Sequence, residues 1–207
     1  MIRMFQGFES AAHGELFKQM YRQRKAVFHD ALNWDVQIQD GEFEIDEFDR
    51  EDTVYLMAFD ESDALVGSTR LVSTATPHML SGPFRSMFPS VGFCSPLIWE
   101  ATRFLVLGDK SIQPNGVSTA ACEILLGGCR FGLDNGLAQI LAVYDSGVHR
   151  LYRRCGLHTT TLAKFRTELH GTVAVGISEM SKDLERSVLA MTGLEAPVRR
   201  EAAVLAA

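Results

Sequence analysis

The sequence is poor in the residue patterns that build metal sites and disulfide frameworks. Its four cysteines, Cys94, Cys122, Cys129 and Cys155, form no CxxC pair, and its six histidines form no HxxxH or HxH pattern. These absences exclude the common zinc-binding arrangements. Cys122 and Cys129 lie seven residues apart, on one face of a predicted helix. We therefore predict no metal site and expect reduced, buried thiols.

Long apolar runs and an excess of positive charge are also missing. No apolar stretch approaches the roughly 20 residues that a membrane-spanning helix needs, and the first ten residues, MIRMFQGFES, have no apolar core of signal-peptide length. The formal net charge of −6 argues against general nucleic-acid binding. We expect a cytoplasmic protein that binds neither membranes nor nucleic acids.

The charges that are present are unevenly spread along 207 residues, 46% of which are hydrophobic. Residues 40–52, DGEFEIDEFDRED, carry eight acidic residues and one arginine, whereas residues 146–167 carry five Lys or Arg and no acid. A chain of this size buries a good core in one domain. We expect a single domain over residues 1–195 and a loose tail over residues 196–207.

Hydrophobic periodicity predicts strands alternating with helices after a first helix. In chain order we predict a helix over 14–31, a hairpin of TVYLMAF and ALVGSTRLV, an irregular connection over 74–96, a strand over 97–107, a helix over 118–133, the strand QILAVYD, the short helix VHRLYRRCG, the strand TVAVGISEM and a helix over 181–192. This order predicts an α/β fold, with helices packed on a mixed sheet.

The predicted strand LIWEATRF (97–104) contains two charged residues, Glu100 and Arg103, in an otherwise apolar run. Buried charges are costly unless they are paired. Strand positions three apart point to opposite faces. Either one of the two charges faces solvent, or a β-bulge re-aims one of them, as often happens beside active sites.

The order of elements resembles the GNAT acyltransferase fold, a largely antiparallel twisted sheet flanked by helices. QPNGVS (113–118) resembles a degraded GNAT pyrophosphate loop before a helix N-terminus, although a plain turn with an N-cap explains it equally well. LYRRCGL (151–157) resembles the GNAT helix whose tyrosine protonates a leaving thiolate, but Tyr152 also fits a packed core position. The alternative function is therefore a conventional GNAT N-acyltransferase using acyl-CoA.

A more specific resemblance covers most of the chain. Its motifs are RKAVFHDALNW, EIDEFDREDTVYL, GSTRL, TPHML and IWEATRF. In identity, order and spacing they resemble the acyl-homoserine-lactone synthases, which make quorum-sensing signals. The resemblance implies a GNAT-like fold and no cofactor. It implies acyl transfer from acyl carrier protein or acyl-CoA to the amine of S-adenosylmethionine, followed by lactone closure with loss of methylthioadenosine.

The same resemblance implies the residues of the reaction centre. The predicted catalytic residues are Glu100, Arg103, Arg70, Asp46 and Asp49, with Glu100 as general base and all five in one ion network. The predicted S-adenosylmethionine site contains Arg24, Phe28, Trp34, Arg103 and Phe104. In it the aromatic rings would face the sulfonium, and either Arg24 or Arg103 would hold the carboxylate in a fork.

The acyl donor has two further predicted sites. The acyl pocket is predicted to contain Ile98, Leu125, Ala142 and Tyr144. Ala142 lies where members that make 3-oxo products often have threonine, which weakly disfavours such a chain. Arg150, Arg153, Arg154 and Lys164 are predicted to dock an acidic carrier protein or CoA phosphates, although an ordinary charged helix face explains the arginines equally well. These residues leave open which acyl chain is used and which donor delivers it.

Overall fold

A mixed sheet organises the computed structural model, which describes residues 1–168, 171–194 and 199–200. Strands in this part of the chain are β1 (Ile2–Gln6), β2 (Ile38–Gln39), β3 (Phe43–Glu44), β4 (Val54–Phe59), β5 (Leu65–Ser73), β6 (Ile98–Val106), β7 (Gln139–Asp145), β8 (Thr160–Thr167), β9 (Gly171–Glu179) and β10 (Arg199–Arg200). The α-helices are α1 (Gly14–Arg24), α2 (Thr119–Asp134), α3 (Ser146–Arg154) and α4 (Lys182–Thr192).

The strand order in the main sheet is β10-β1-β4-β5-β6-β7-β9-β8, and β2 pairs with β3 in a separate hairpin. Within the main sheet β6 runs parallel to β7 and β10 runs parallel to β1, whereas the other neighbours are antiparallel. This mixed, largely antiparallel sheet with flanking helices confirms the predicted fold class.

The two faces of the sheet are covered by different elements, because strand side chains alternate between them. Helix α2 packs on one face, here called the α2 face, against residues such as Leu56 and Leu71. Helix α1 packs on the opposite face, here called the α1 face, against Tyr55 and Met57. The connection before β6 covers the α1 face farther along the sheet, where Leu80 packs in one cluster with residues of β7 and β9.

Strands β6 and β7 are paired over only part of their length. Ile98–Ala101 pairs with Gln139–Ala142, and the pairing of the two strands ends at Ala101 and Ala142. From Thr102 onward β6 is paired with β5 alone, so the β6 edge that faces β7 has no strand partner in the described residues. Helix α2 begins beside this opening, capped by the Ser118 hydroxyl, which accepts a hydrogen bond from the Ala121 amide at 3.2 Å.

Several elements differ from the sequence prediction. The helix predicted over 14–31 is α-helical only to Arg24 and continues as a π-helix over Lys25–Ala31. Strands β1 and β8 were not predicted, because β1 is short and the exposed edge strand β8 mixes apolar and basic residues. Of the predicted loose tail, residues 196–198 and 201–207 lie outside the described residues, whereas Arg199–Arg200 pairs with β1.

Candidate active site

A β-bulge in β6 sets the direction of the charged side chains. Ser68 pairs with Leu105 and Arg70 pairs with Thr102, so β6 contains one residue more than β5 between these pairs. Arg103 lies in the bulge with a φ of 54°, a left-handed conformation that is uncommon for residues other than glycine. The bulge directs Arg103 to the α1 face, where Arg70 and Thr102 also lie. The predicted irregularity of this strand is confirmed.

On the α1 face, six charged side chains form a closed ring in which positive and negative groups alternate. In order round the ring they are Arg24, Glu44, Arg103, Asp46, Arg70 and Asp49, each ion-paired with both of its neighbours. Their side chains are at most 6% exposed. Since three guanidinium groups face three carboxylates, the buried charges balance.

The ring shifts the pKa of Asp49. Burial alone would raise the pKa of Asp49, but the charges of Arg24 and Arg70 hold it far below the usual carboxyl value. The Tyr55 hydroxyl also donates to Asp49, at 2.8 Å. Burial and the neighbouring Asp49 charge raise the pKa of Tyr55. We conclude that Asp49 stays ionised at neutral pH.

Glu44 was not predicted from the sequence, although it connects the two arginines nearest the aromatic residues. It lies among eight acidic residues, and nothing in that run distinguished it. In the structure Glu44 ends β3, two residues before Asp46, so both carboxylates point to one side. The structure brings both to Arg103, with contacts of 2.8 and 2.9 Å.

Arg103 is the ring arginine with one guanidinium nitrogen that makes no hydrogen bond to the described residues. All three nitrogens of the Arg24 guanidinium donate to Glu44 or Asp49, and those of Arg70 donate to Thr102 or Asp46. In Arg103, Nε and Nη2 are engaged, whereas Nη1 has no acceptor among the described residues.

Aromatic side chains lie next to the Arg103 guanidinium. The Arg103 guanidinium carbon is 5.5 Å from the centroid of the Phe28 ring, and Phe28 stacks on Trp34 with 5.1 Å between centroids. The structure therefore brings Arg24, Phe28, Trp34 and Arg103 together as predicted. Phe104 was also predicted in the S-adenosylmethionine site, but it points to the α2 face, on the other side of the strand.

Glu100 lies beside the ring but is not a member of it, which corrects the predicted five-residue network. Its carboxylate accepts hydrogen bonds from the backbone amides of Met79, at 2.7 Å, and Leu80, at 3.0 Å. The residue is 0% exposed. Burial raises the pKa of Glu100 to about 7, although both amides and the nearby arginine charges act to lower it.

A small apolar cavity lies on the α2 face, between the sheet and helix α2. Its volume is about 60 Å³, and Leu125 and Ala142 line it as predicted, together with Phe104 and Tyr152. Two predicted pocket residues lie elsewhere. Ile98 packs on the α1 face with Leu80 and Phe88, because it is two residues from Glu100 on the same strand. Tyr144 packs behind the cavity, 5.5 Å from the Tyr152 ring.

A larger cleft of about 550 Å³ opens where β6 and β7 separate. The end of β6, the N-terminus of α2 and helix α3 form its walls, and Arg150 and Arg154 line it. Arg153 and Lys164 are exposed outside the lining. The segment QPNGVS (113–118) was interpreted either as a pyrophosphate loop or as a plain turn with an N-cap. The structure has a turn with an N-cap, and this turn also forms one edge of the cleft.

Comparison with known families identifies this arrangement. A family model described as "Autoinducer synthase" matches residues 8–188. The chain belongs to the autoinducer synthase family. Acyl-homoserine-lactone synthases from Rhizobium etli and Acinetobacter nosocomialis are 39% and 30% identical over 179 and 161 residues. These alignments cover 84% and 75% of this chain, and 82% and 87% of the relatives.

Solved structures agree on the fold of this family member. A CoA-dependent acyl-homoserine lactone synthase, BjaI, described with SAM and isopentyl-CoA, superposes with a TM-score of 0.83 at 24% identity, covering 99% of this chain and 95% of its own. A putative N-acetyltransferase from Lactobacillus plantarum superposes with a TM-score of 0.54 at 14% identity, covering 87% and 99%. The GNAT-like fold is thereby confirmed.

Family membership also confirms the predicted activity. The protein is an acyltransferase, and acyl-homoserine-lactone synthesis is favoured over the reaction of a conventional GNAT enzyme.

Among the described residues, no helix is both long and apolar enough to cross a bilayer.

Proposed function

We propose that this autoinducer synthase transfers an acyl group from a thioester to the amine of S-adenosylmethionine on the open edge of β6. The substrate carboxylate then attacks the carbon beside the sulfonium, closes the lactone and expels methylthioadenosine. The observation that carries this proposal is the juxtaposition of one free guanidinium nitrogen, a stacked aromatic pair and an unpaired strand edge. We assign the reaction to the cytoplasm, where both substrates are made.

Arg103 is the proposed ligand of the S-adenosylmethionine carboxylate. The sequence left Arg24 and Arg103 as alternatives, and the free Nη1 of Arg103 supports the second. Phe28 and Trp34 lie next to it and offer π-faces to the sulfonium. Arg24, Arg70, Asp46 and Asp49 are then positioning residues, which hold Arg103 and the preceding loop. Because lactone closure needs a folded substrate, such positioning supplies much of its rate.

The acyl donor is proposed to bind in the cleft between β6 and β7. Unpaired backbone amides of the bulged strand point into such an opening and would stabilise the oxyanion of the thioester carbonyl. The N-terminus of α2, Arg150 and Arg154 supply positive potential for phosphate groups. CoA and carrier-protein phosphopantetheine both carry such groups. Two superposing synthases, BjaI and MesI, are described as CoA-dependent.

A short acyl chain is proposed from the size of the apolar cavity. Its 60 Å³ is well below the roughly 150 Å³ of an engineered cavity that holds benzene. Relatives include an isovaleryl-homoserine lactone synthase from Bradyrhizobium diazoefficiens, 29% identical over 163 residues. A chain of a few carbons, linear or branched, fits the lining around Leu125 and Ala142.

Glu100 was predicted to take the proton of the attacking amine. Its zero exposure and its two amide donors support a positioning role instead, in which it fastens the Met79–Leu80 turn to the sheet. In favour of the base, its pKa of about 7 suits proton transfer at neutral pH. The two roles differ in the pH profile of a Glu100→Gln variant, described below.

The decisive experiment is a donor panel. Purified protein is given S-adenosylmethionine and matched acyl-CoA and acyl-carrier-protein donors of increasing chain length, and products are identified by mass spectrometry. We expect an acyl-homoserine lactone and methylthioadenosine in equal amounts, with the short chains fastest. A folded enzyme that makes no lactone from any donor contradicts the proposal. A Tyr152→Phe variant tests the GNAT alternative, which requires that hydroxyl, whereas the synthase does not.

A further inference from the structure

Two buried cysteines face each other beside the donor cleft. Cys122 lies in the first turn of α2 and Cys155 directly follows α3, and their sulfur atoms are 3.8 Å apart. The other two cysteines do not share this geometry, since Cys94 is exposed and Cys129 lies two turns farther along α2. Both residues of the pair are 0% exposed.

The pair is connected to the wall of the donor cleft. Asn115 Nδ2 approaches the sulfur of Cys122 at 3.7 Å and that of Cys155 at 3.8 Å. The backbone oxygen of Asn115 accepts hydrogen bonds from Nε and Nη2 of Arg154. The residues directly before the two cysteines, Ala121 and Arg154, line the cleft. A small oxidant in the cleft is therefore one residue away from each thiol.

We infer that Cys122 and Cys155 form a reversible disulfide that changes the donor cleft. The sulfur atoms need to approach by less than 2 Å, because a disulfide bond is about 2.05 Å long. That movement draws the start of α2 towards the end of α3, where Ala121 and Arg154 line the cleft. In reducing cells, disulfides of this kind are typically redox sensors and not structural staples.

The chemistry requires a peroxide as oxidant. The Cys122 thiolate attacks one peroxide oxygen, forming an S–O bond and releasing hydroxide. The sulfur of Cys155 then attacks the sulfenic acid, forms the S–S bond and releases water, so that two thiols are oxidised and one peroxide is reduced to two waters. Cys122 is the first nucleophile, because the hydrogen bond from Cys155 and the amide of Asn115 lower its pKa.

The chemical test does not depend on the proposed function. A Cys94→Ser variant, which removes the exposed thiol, is reduced, treated with hydrogen peroxide, alkylated and digested. We expect a crosslinked peptide containing Cys122 and Cys155, with Cys129 alkylated and dithiothreitol reversing the product. The inference is overturned if Cys122 and Cys155 both stay reduced and are recovered as alkylated peptides. It is also overturned if either of them is crosslinked to another cysteine. A Cys129→Ser variant is the matched control and must still form the crosslink.

The effect on the cleft rests on the proposed function and is measured separately. The oxidised protein should show a KM for the acyl donor raised about fivefold or more, the lower range of ordinary coupling between sites, with the KM for S-adenosylmethionine unchanged. Bound donor should slow the crosslinking. If the crosslink forms but the donor KM is unchanged, the proposed effect on the cleft is wrong and the disulfide is still supported. A failure of the disulfide and a failure of the proposed donor site therefore give different results.

Discussion

Arg103 lies at the junction of the charged ring, the aromatic pair and the donor cleft. Its positive φ costs on the order of 1–3 kcal/mol, and contacts with Glu44 and Asp46 on one side and Phe28 on the other hold it there. The bulge thus places a guanidinium at the boundary between the two proposed substrate sites, and the charge of Arg103 is only part of its contribution.

An Arg103→Lys substitution should therefore weaken S-adenosylmethionine binding although it keeps the charge. A lysine has one nitrogen and cannot serve Glu44, Asp46 and a substrate carboxylate together. We expect the Kd measured by calorimetry to rise at least about tenfold, equivalent to about 1.4 kcal/mol. Arg150→Lys, in the donor cleft, is the control and should leave this Kd unchanged. Equal affinities for the two variants would contradict the proposed contact.

Glu100→Gln separates the base from the positioning residue. If Glu100 is the base, kcat should fall about 10²–10⁴-fold and the rise in rate near pH 7 should disappear. If it positions the Met79–Leu80 turn, the thermal stability should fall and the pH profile should keep its shape. Activity and melting temperature measured from pH 5.5 to 9, a range set on either side of the pKa of about 7, decide between the two roles.

The same residue makes an independent prediction for stability. The pKa of Glu100 is raised from 4.5 to about 7 in the folded protein, so its favourable contribution is present below pH 4.5 and is lost as the pH rises through 7. Denaturation in urea at several pH values should show the stability of the wild type falling relative to Glu100→Gln over this interval. A constant difference would mean that the pKa is not raised.

Gly128 lies in the wall of the cavity proposed to hold the acyl chain. It lines the apolar cavity from the sheet-facing side of α2, and a Cβ atom there would meet no other atom within 4 Å. Glycine inside a helix costs about 1 kcal/mol relative to alanine, so the open space is its evident use.

A Gly128→Leu substitution should fill the cavity and shift the preferred donor to shorter chains, read from relative kcat/KM over the panel. Gly14→Leu, at the start of α1, where a Cβ also meets open space, is the control and should not change the preference. An unchanged chain-length profile in Gly128→Leu would place the acyl chain elsewhere.

Helix α3 offers a matched pair of charge reversals. Arg150 lines the donor cleft, and Arg153, one turn away, is exposed outside it. Arg150→Glu should raise the KM for the acyl donor several-fold and leave the KM for S-adenosylmethionine unchanged, because the Arg150 side chain would face the phosphate groups of a donor in the proposed cleft. Arg153→Glu changes the net charge equally and should have a smaller effect. Equal effects would indicate a general attraction over the helix surface and not a cleft contact.

The elements that periodicity predicts are those with an unambiguous pattern. Helix α2 has an N-cap and a continuous apolar face. In β6 the two charges three residues apart, which cannot share a regular strand face, left a bulge as one of two alternatives, and the structure has the bulge. Edge strand β8 was not predicted because its exposed positions hold both apolar residues, Leu162 and Phe165, and basic ones, so the sequence shows no apolar/polar alternation. The π-helical turns after Arg24 were not predicted because their apolar spacing still resembles an α-helix.

The ring illustrates why the site was only partly predictable. Motif resemblance selected five of its six members, yet the partners are 20 to 59 residues apart in the chain. No local pattern states which carboxylate meets which guanidinium, so Glu44 was missed and Glu100 was wrongly included. Tertiary packing alone supplies that pairing.

For the molecule as a whole, the ring should dominate stability in acid. The pKa of Asp49 is depressed, so its contribution is present at neutral pH and is lost as the pH falls below the ordinary carboxyl range. Asp49→Asn leaves one buried positive charge in excess and should cost about 3–5 kcal/mol in urea unfolding. The exposed Asp52→Asn should change it by less than about 1 kcal/mol. Similar losses would mean that the ring is not closed in solution.

The closed ring also bears on how such a protein can diverge. Every member is ion-paired with two others, so a single loss leaves the buried charges unbalanced and lowers the stability. Single changes at these six positions are therefore costly, whereas a change at Gly128 in the cavity wall meets open space. Enzymes with a different acyl-chain preference can arise in this way, while the proposed binding of S-adenosylmethionine is unchanged.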